Sequence, residues 1–362
     1  MKRFTGFEKG MGIGGWLTNY KRFNVLPEER RLVLTIGDFE HFDSYITEED
    51  VGYIASLGMD HIRLGFDQIV VEEKPYAYRE HIMDLIESFV NQCEKYKLNV
   101  VLNLHKAIGN YCDINEAVQL LDDEGLQKRF IALWVMIESR LKNYPGVAFE
   151  LLNEVRNVPP EKWNDLAART IDELRKLNPD RKIIIGSTCW NSADTLKQLK
   201  VYDDENVIYT FHMYEPFSFT HQQGVLQASP LFYNRKMPYP GDIERYRDYE
   251  KVVNGNENAY AEYSKMDSRV LRDSLKLALK FMQNNPNKIL WCDEFGTIRH
   301  CNIKWRENWM RDVISFLKEN GIPYCVWNYL STPNDGNRFS LVDDDTRKIL
   351  SDEMARIIRG EI

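Results

Sequence analysis

Two short strings hold residues able to do chemistry: Phe149-Glu150-Leu151-Leu152-Asn153-Glu154 and Leu290-Trp291-Cys292-Asp293-Glu294-Phe295-Gly296. Each is an apolar run of strand length that ends on glutamate. Strands of this kind are buried, and a buried carboxylate is expensive unless partners compensate it. A chain that ends two strands this way points to a site needing two carboxylates. With no obvious metal ligands beside them, such a pair suits hydrolysis of a glycosidic bond. One carboxylic acid protonates the leaving oxygen, and the other attacks the anomeric carbon or activates water. The two roles demand different pKa values at one pH, so the surroundings of the two groups must differ.

Placing the pair requires a scaffold. β-rich runs recur near 11–16, 60–66, 98–104, 146–153, 182–187, 206–213, 288–294 and 323–328. Helical periodicity fills 81–97, 126–142, 160–177, 267–284 and 303–319, with a fourth-residue rhythm in Leu126, Phe130, Leu133, Ile137 and Leu141. Thr47 and Asp50 form a capping box, and a last amphipathic segment spans about 347–359. Strands alternating with helices, without a glycine-rich linker, predict one domain over 1–362 with a parallel sheet. The strand count is the one that closes a (β/α)8 TIM barrel. A doubly wound open sheet is the competing fold, but its nucleotide fingerprint is missing. Gly10-Met11-Gly12-Ile13-Gly14-Gly15 lacks the required spacing and reads as strand one and its turn.

One connection is unusual. Between Tyr214 and about Tyr260 no clean helix is evident, but Phe217, Phe219, Phe232, Tyr233, Tyr239, Tyr246 and Tyr249 are present. Long connections inside compact domains are usually functional. Residues 215–260 are therefore predicted to form an aromatic-rich insertion after strand six, a subdomain over the C-terminal mouth.

In a barrel the C-terminal strand ends share that mouth. Read in order they supply Trp16, Arg63, His105, Asn153-Glu154, His212 with Tyr214, Glu294 and Trp327. Each alone has an ordinary explanation. Arg63 could be a structural ion-pair partner, His105 and His212 satisfied core histidines, and Trp327 packing. Their joint appearance at strand ends favours a common site.

Composition narrows the alternatives. The net charge of −8, from 47 basic and 55 acidic residues, argues against a nucleic-acid partner. No stretch reaches the ~18 apolar residues of a membrane span. The six cysteines form no CxxC pair, which removes zinc-ribbon and thioredoxin readings and fits reduced thiols. His105 and His212 have no accompanying HxH or bridged carboxylate cluster, so neither metal nor cofactor is expected. Met1-Lys2-Arg3-Phe4-Thr5-Gly6 has no apolar signal region. The expected location is cytoplasmic, or secreted if a leader has been removed.

The pattern resembles glycoside hydrolase family five, within the clan of (β/α)8 retaining glycosidases. It does so through Gly12-Ile13-Gly14-Gly15-Trp16, His61-Ile62-Arg63-Leu64, Leu104-His105, Leu151-Leu152-Asn153-Glu154, Phe211-His212-Met213-Tyr214, Asp293-Glu294-Phe295-Gly296 and Trp327-Asn328-Tyr329. Together these span almost the whole chain. Within the family, His41-Phe42-Asp43, Pro216-Phe217-Ser218-Phe219-Thr220-His221-Gln222 and Tyr239-Pro240-Gly241 resemble clostridial-type endo-β-1,4-glucanases, which carry an extra subdomain after strand six.

The resemblance implies Glu154 as acid/base, Glu294 as nucleophile and Asn153 as the partner of the sugar 2-hydroxyl. It implies Tyr214 as the group orienting Glu294 and Arg63 as the cation beside it. His105 and His212 would bind hydroxyls or tune Glu154, and Trp327 would be the stacking floor of the −1 subsite. The implied protein is a monomeric, metal-independent retaining endo-β-glucanase acting on β-1,4 bonds in cellulose-type or mixed-linkage β-glucans. The alternatives are a relative acting on another β-glycan (exo-β-1,3-glucanase, mannanase or xyloglucanase) and a non-catalytic glycan-binding barrel. The sequence departs from the family at three places. Asn103-Leu104-His105-Lys106 stands where Asp-x-His-His is frequent, and Gly65 replaces the usual proline. The first βα loop, about 17–46, is long and charged at Glu28, Glu29, Arg30 and Arg31. Lys106 and this loop lie where glycone-side subsites are built.

Overall fold

Eight apolar strands pair in parallel and in chain order: β1 (Lys9–Leu17), β2 (His61–Asp67), β3 (Asn99–Lys106), β4 (Val147–Glu150), β5 (Ile183–Gly186), β6 (Val207–Met213), β7 (Leu290–Phe295) and β8 (Tyr324–Val326). In this computed structural model β1 also pairs with β8, so the sheet is a closed barrel. The structure describes residues 3–114, 116–332 and 335–362. Met1 and Lys2 of the amino-terminal segment lie outside them. The TIM barrel expected from the sequence is present, and the open doubly wound sheet is excluded by the β1–β8 pairing.

Alternation along the strands sorts the barrel interior into layers. Val101, Ala148, Ile184, Ile208, Trp291 and Cys325 form an apolar floor closed from below by Phe4 and Phe7. Two residues further along their strands come Asn103, Glu150, Thr210 and Asp293, all buried. Two further still are His105 and His212, and Trp327 follows Cys325 of the floor by two residues. Apolar packing thus ends one layer below the mouth, and the polar layer is placed by the same period-two pattern that builds the sheet.

The outer helices are α1 (Glu48–Ser56), α2 (Glu80–Lys95), α3 (Glu124–Leu141), α4 (Pro160–Leu177), α5 (Ile243–Asn254), α6 (Ser268–Ser274), α7 (Lys276–Asn284), α8 (Ile303–Glu319) and α9 (Asp352–Ile358). Thr47 and Asp50 make both bonds of the expected capping box on α1. No described helix is long and apolar enough to cross a membrane.

Three elements differ from expectation. Strand four ends at Glu150, so Asn153 and Glu154 follow it rather than close it. The segment predicted as one helix over 267–284 is divided at Leu275. The region read as lacking a clean helix contains α5, capped by Asp242 and ended by Gly255 at φ 66°. Its apolar face is only Ile243, Tyr246 and Tyr249, at every third position in a charged sequence, which is too sparse for a periodicity reading. Most aromatics of this connection are buried, including Phe219, Tyr239, Tyr246 and Tyr249, whereas Phe232 is 74% exposed.

Candidate active site

The mouth begins with an irregularity in β7. Its pairing with β6 runs from Leu290 opposite Tyr209 to Cys292 opposite Phe211, then slips so that Glu294 faces His212. A bulge adds one residue to a strand and re-aims its side chains. Here two consecutive acids both turn inward, where strict alternation would send one out. Asp293 Oδ2 lies 3.5 Å and Glu294 Oε2 lies 2.7 Å from the guanidinium of Arg63.

Arg63 is fully buried on β2. Its Nε and Nη2 donate to the two oxygens of Glu150, each at 2.7 Å, and Nη2 also donates to Asn153 Oδ1 at 2.7 Å. Its Nη1 donates to Glu294 Oε2. One planar fork therefore ties together β2, β4, β7 and the segment after β4. Burial pushes the Glu150 carboxyl above the carboxylate range against the pull of Arg63, with Asp293 adding to the rise. The Tyr214 hydroxyl donates to Glu294 Oε1 at 2.7 Å. Each oxygen of Glu294 thus has its own donor, which fixes the plane of the carboxylate. Three neighbours support Tyr214. Thr220 Oγ1 donates to its carbonyl, and His221 and Phe339 pack edge-on against its ring.

Glu154 sits past β4 at φ 41°, a left-handed conformation uncommon outside glycine. The surrounding backbone holds it there. Asn153 N donates to Leu104 O at 2.8 Å, Leu151 N to Ile184 O at 3.0 Å, and the Trp134 indole to Leu151 O. His212 Nδ1 lies 3.0 Å from Glu154 Oε1, while its Nε2 lies 3.5 Å from Asp293 Oδ1. Burial raises the Glu154 carboxyl above its ordinary range, His212 pulls it down, and the charge of Glu294 pushes it up. Burial disfavours the His212 cation, but the charges of Glu294 and Asp293 outweigh it and hold the imidazole well above its usual value. One carboxylate oxygen of Glu154, one of Glu294 and a ring nitrogen of His212 lie within 4.8 Å of one another. Carboxyl groups about 5–5.5 Å apart suit retention, whereas inversion needs about 6.5–9.5 Å.

Trp327 follows β8 and lies against β1. A Cβ at Gly12 or Gly14 would come within 2.7 Å of its ring, so those two positions must be glycine for the indole to sit there. The His105 ring is parallel to it, 7° between planes and 5.3 Å between centroids. The hydrogen bonds of His105 run to Asn103 and Asn19 rather than to Glu154. Trp16, read as a strand-end residue, points away from the mouth. Its indole donates to Phe42 O and its ring meets Phe89, because the register of β1 slips between Ile13 and Leu17 and breaks the alternation that turns Gly12 and Gly14 inward.

A family profile described as cellulase (glycosyl hydrolase family 5) matches residues 31–332. The chain belongs to that family. It is similar to Endoglucanase C of Acetivibrio thermocellus, at 34% identity over 97% of this chain and 98% of the relative. It is also similar to Cellodextrinase A of Ruminococcus flavefaciens, at 29% identity over 89% of this chain and 85% of the relative. Among solved structures, a hyperthermophilic endo-β-1,4-glucanase in complex with substrate aligns with a TM-score of 0.74 at 23% identity, covering 98% of this chain and 97% of that one. The endoglucanase Cel5A of Thermotoga maritima aligns with a TM-score of 0.72 at 23% identity over the same shares. These two structural likenesses show the shared barrel.

As a family 5 chain, this protein is a glycoside hydrolase. The structure adds residues that the sequence reading did not single out. Glu150 and Asp293 complete the surroundings of Arg63 and His212, and their signal was available as charges inside otherwise apolar strands. Trp190 had no such signal. It stands after β5 in a left-handed turn of Cys189, Trp190 and Asn191, with its indole 42% exposed and donating to Cys112 O. His212 yields a pH prediction. Because it pulls Glu154 down, His212→Gln should leave Glu154 protonated to higher pH. The alkaline limb of the kcat/KM profile then moves upward while the maximal rate falls. An unmoved limb in a folded variant contradicts this role.

Proposed function

We propose that this family 5 chain is an endo-acting β-1,4-glucanase that works by double displacement. Glu294 attacks the anomeric carbon while Glu154 protonates the departing oxygen. Glu154 then takes a proton from water, which releases the sugar from Glu294. The observation carrying this reading is the close Glu154–Glu294 pair, one member held by Arg63 and Tyr214 and the other raised by burial beside His212. Asn153 Oδ1 accepts from Arg63, and one amide N–H lies against Cys112 Sγ at 3.9 Å, which leaves the other for a sugar 2-hydroxyl. The leaving group must lie on the Glu154 side, where Trp190 offers an exposed ring face. The glycone then lies over Trp327. The names of the relatives, an endoglucanase and a cellodextrinase, support β-1,4-glucan as substrate. Residues 215–260 serve as an inserted subdomain that buttresses Tyr214 and walls the mouth.

His212, as a cation between the two glutamates, repels a metal ion from the set it forms with them, so activity should persist in chelator. Glu154→Gln should lower the rate on cello-oligosaccharides by about 10²–10⁴-fold. It should lower bond cleavage in a nitrophenyl cellobioside far less, because nitrophenolate departs without a proton. Equal losses on both substrates contradict the acid role. Substrate class is tested on cello-oligosaccharides, barley β-glucan, laminarin and mannan. Internal cleavage of the first two is expected, and activity confined to laminarin or mannan overturns the assignment.

A further inference from the structure

Lys106 is the last residue of β3, and its ammonium is buried. It lies 3.8 Å from Asp113 and 4.0 Å from Asp67 and donates to Thr18 Oγ1 and Asn19 Oδ1. An ammonium only donates. The oxygen of the Asn19 amide must therefore face Lys106, and its nitrogen must face the other way. That nitrogen lies 3.5 Å from His105 Nε2, at the long limit of a hydrogen bond, so their mutual contact is weak and yields to a hydroxyl that both can reach. His105 is fixed in a complementary sense. Its Nδ1 lies 2.8 Å from Asn103 Oδ1, which assigns the proton to Nδ1 and leaves Nε2 as an acceptor. Burial and the neighbouring charges of Lys106, Arg63 and His212 hold the ring well below its usual value, so it is neutral.

Asn19 is also the residue at which the chain leaves β1, with φ 52°. A non-glycine residue in that conformation needs support from its surroundings. It receives it from Lys106 through its side chain and from Thr332 Oγ1 on its carbonyl, and it remains partly exposed.

We propose that Asn19, oriented by Lys106, determines specificity on the glycone side. Its amide N–H and the Nε2 acceptor of His105 form a donor–acceptor pair that grips one hydroxyl of the sugar lying over Trp327. A hydroxyl placed between them accepts from Asn19 and donates to His105. A glycone lacking that hydroxyl, or presenting it in the other configuration, leaves the two groups with only their weak mutual contact, and a site built to pair a hydroxyl rejects analogues that lack it. The proposal rests on the glycosidase reading above, with the leaving group on the Glu154 side.

The test is Asn19→Asp, measured with the wild-type chain on an aryl β-glycoside and on its 2-, 3- and 6-deoxy glycone analogues. Aspartate keeps the shape, tolerates the left-handed backbone and still accepts from Lys106, but it has no N–H to offer. Wild-type turnover of the parent glycoside tests the underlying reading by itself. For the inference, Asn19→Asp should reduce kcat/KM on the parent by at least tenfold, with thermal stability retained. One deoxy analogue should show a similar loss in the wild type and no further loss in the variant. Equal losses on every analogue would make Asn19 a structural residue only. An unchanged kcat/KM would place the hydroxyl elsewhere. Either result overturns the proposal. Should Asn19→Asp fail to fold, Asn19→Ser is carried through the same panel with the same two readings.

Discussion

Replacement of Glu294 by Gln should reduce kcat by on the order of 10⁵-fold, the scale seen when a covalent nucleophile is lost. The amide is a poor nucleophile and a poor leaving group, so both displacement steps fail. The fold should survive. The amide oxygen can accept from Arg63 Nη1, and the Tyr214 hydroxyl can turn to accept from the new N–H, so both present contacts at 2.7 Å are replaced. Retained circular dichroism with lost turnover is the expected pair of readings. A folded variant within about a hundredfold of wild type would remove Glu294 from the chemistry.

Arg63→Met should give the largest loss of stability at the site. The guanidinium is the donor to Glu150 and Glu294, and Asp293 lies 3.5 Å away, all of them buried. Methionine fills part of the volume and leaves those carboxyls facing one another without a cation. Removing one partner of a buried ion pair costs about 3–5 kcal/mol. At about 2–4 °C per kcal/mol for a large domain, the melting temperature should fall by roughly 6–20 °C. Loss of turnover should accompany it, since Asn153 and Glu294 lose their shared donor. A variant that melts with the wild type would show that the network is dispensable to the fold.

Much of this was legible in the sequence because it follows from alternation. The eight apolar runs, and the glutamates near the ends of two of them, needed only period-two reading and the expense of buried charge. Gly12 and Gly14 were visible as a glycine-rich strand, although only the structure shows that they clear space for Trp327. The bulge at Asp293 was not legible. A slip of register leaves no mark in composition, and Asp293-Glu294 reads equally well as a strand end. The turn that presents Trp190 was hidden for a related reason. Cys189, Trp190 and Asn191 all adopt positive φ without a glycine to announce it. Helix α5 was missed because its buried face consists of three residues in a charged segment. The role of Glu150 was obscured by its position, four residues before the more conspicuous Glu154.

In the proposed double displacement Glu294 forms a covalent glycosyl intermediate and Glu154 then delivers water to the same face. The most direct measurement is the anomeric configuration of the first product, followed by proton NMR during hydrolysis of a cello-oligosaccharide, before mutarotation. Double displacement by the close Glu154–Glu294 pair requires the β-anomer to form first and the α-anomer to appear only later, as the solution equilibrates. Initial formation of the α-anomer would mean a single inverting displacement and would contradict the role assigned to Glu294.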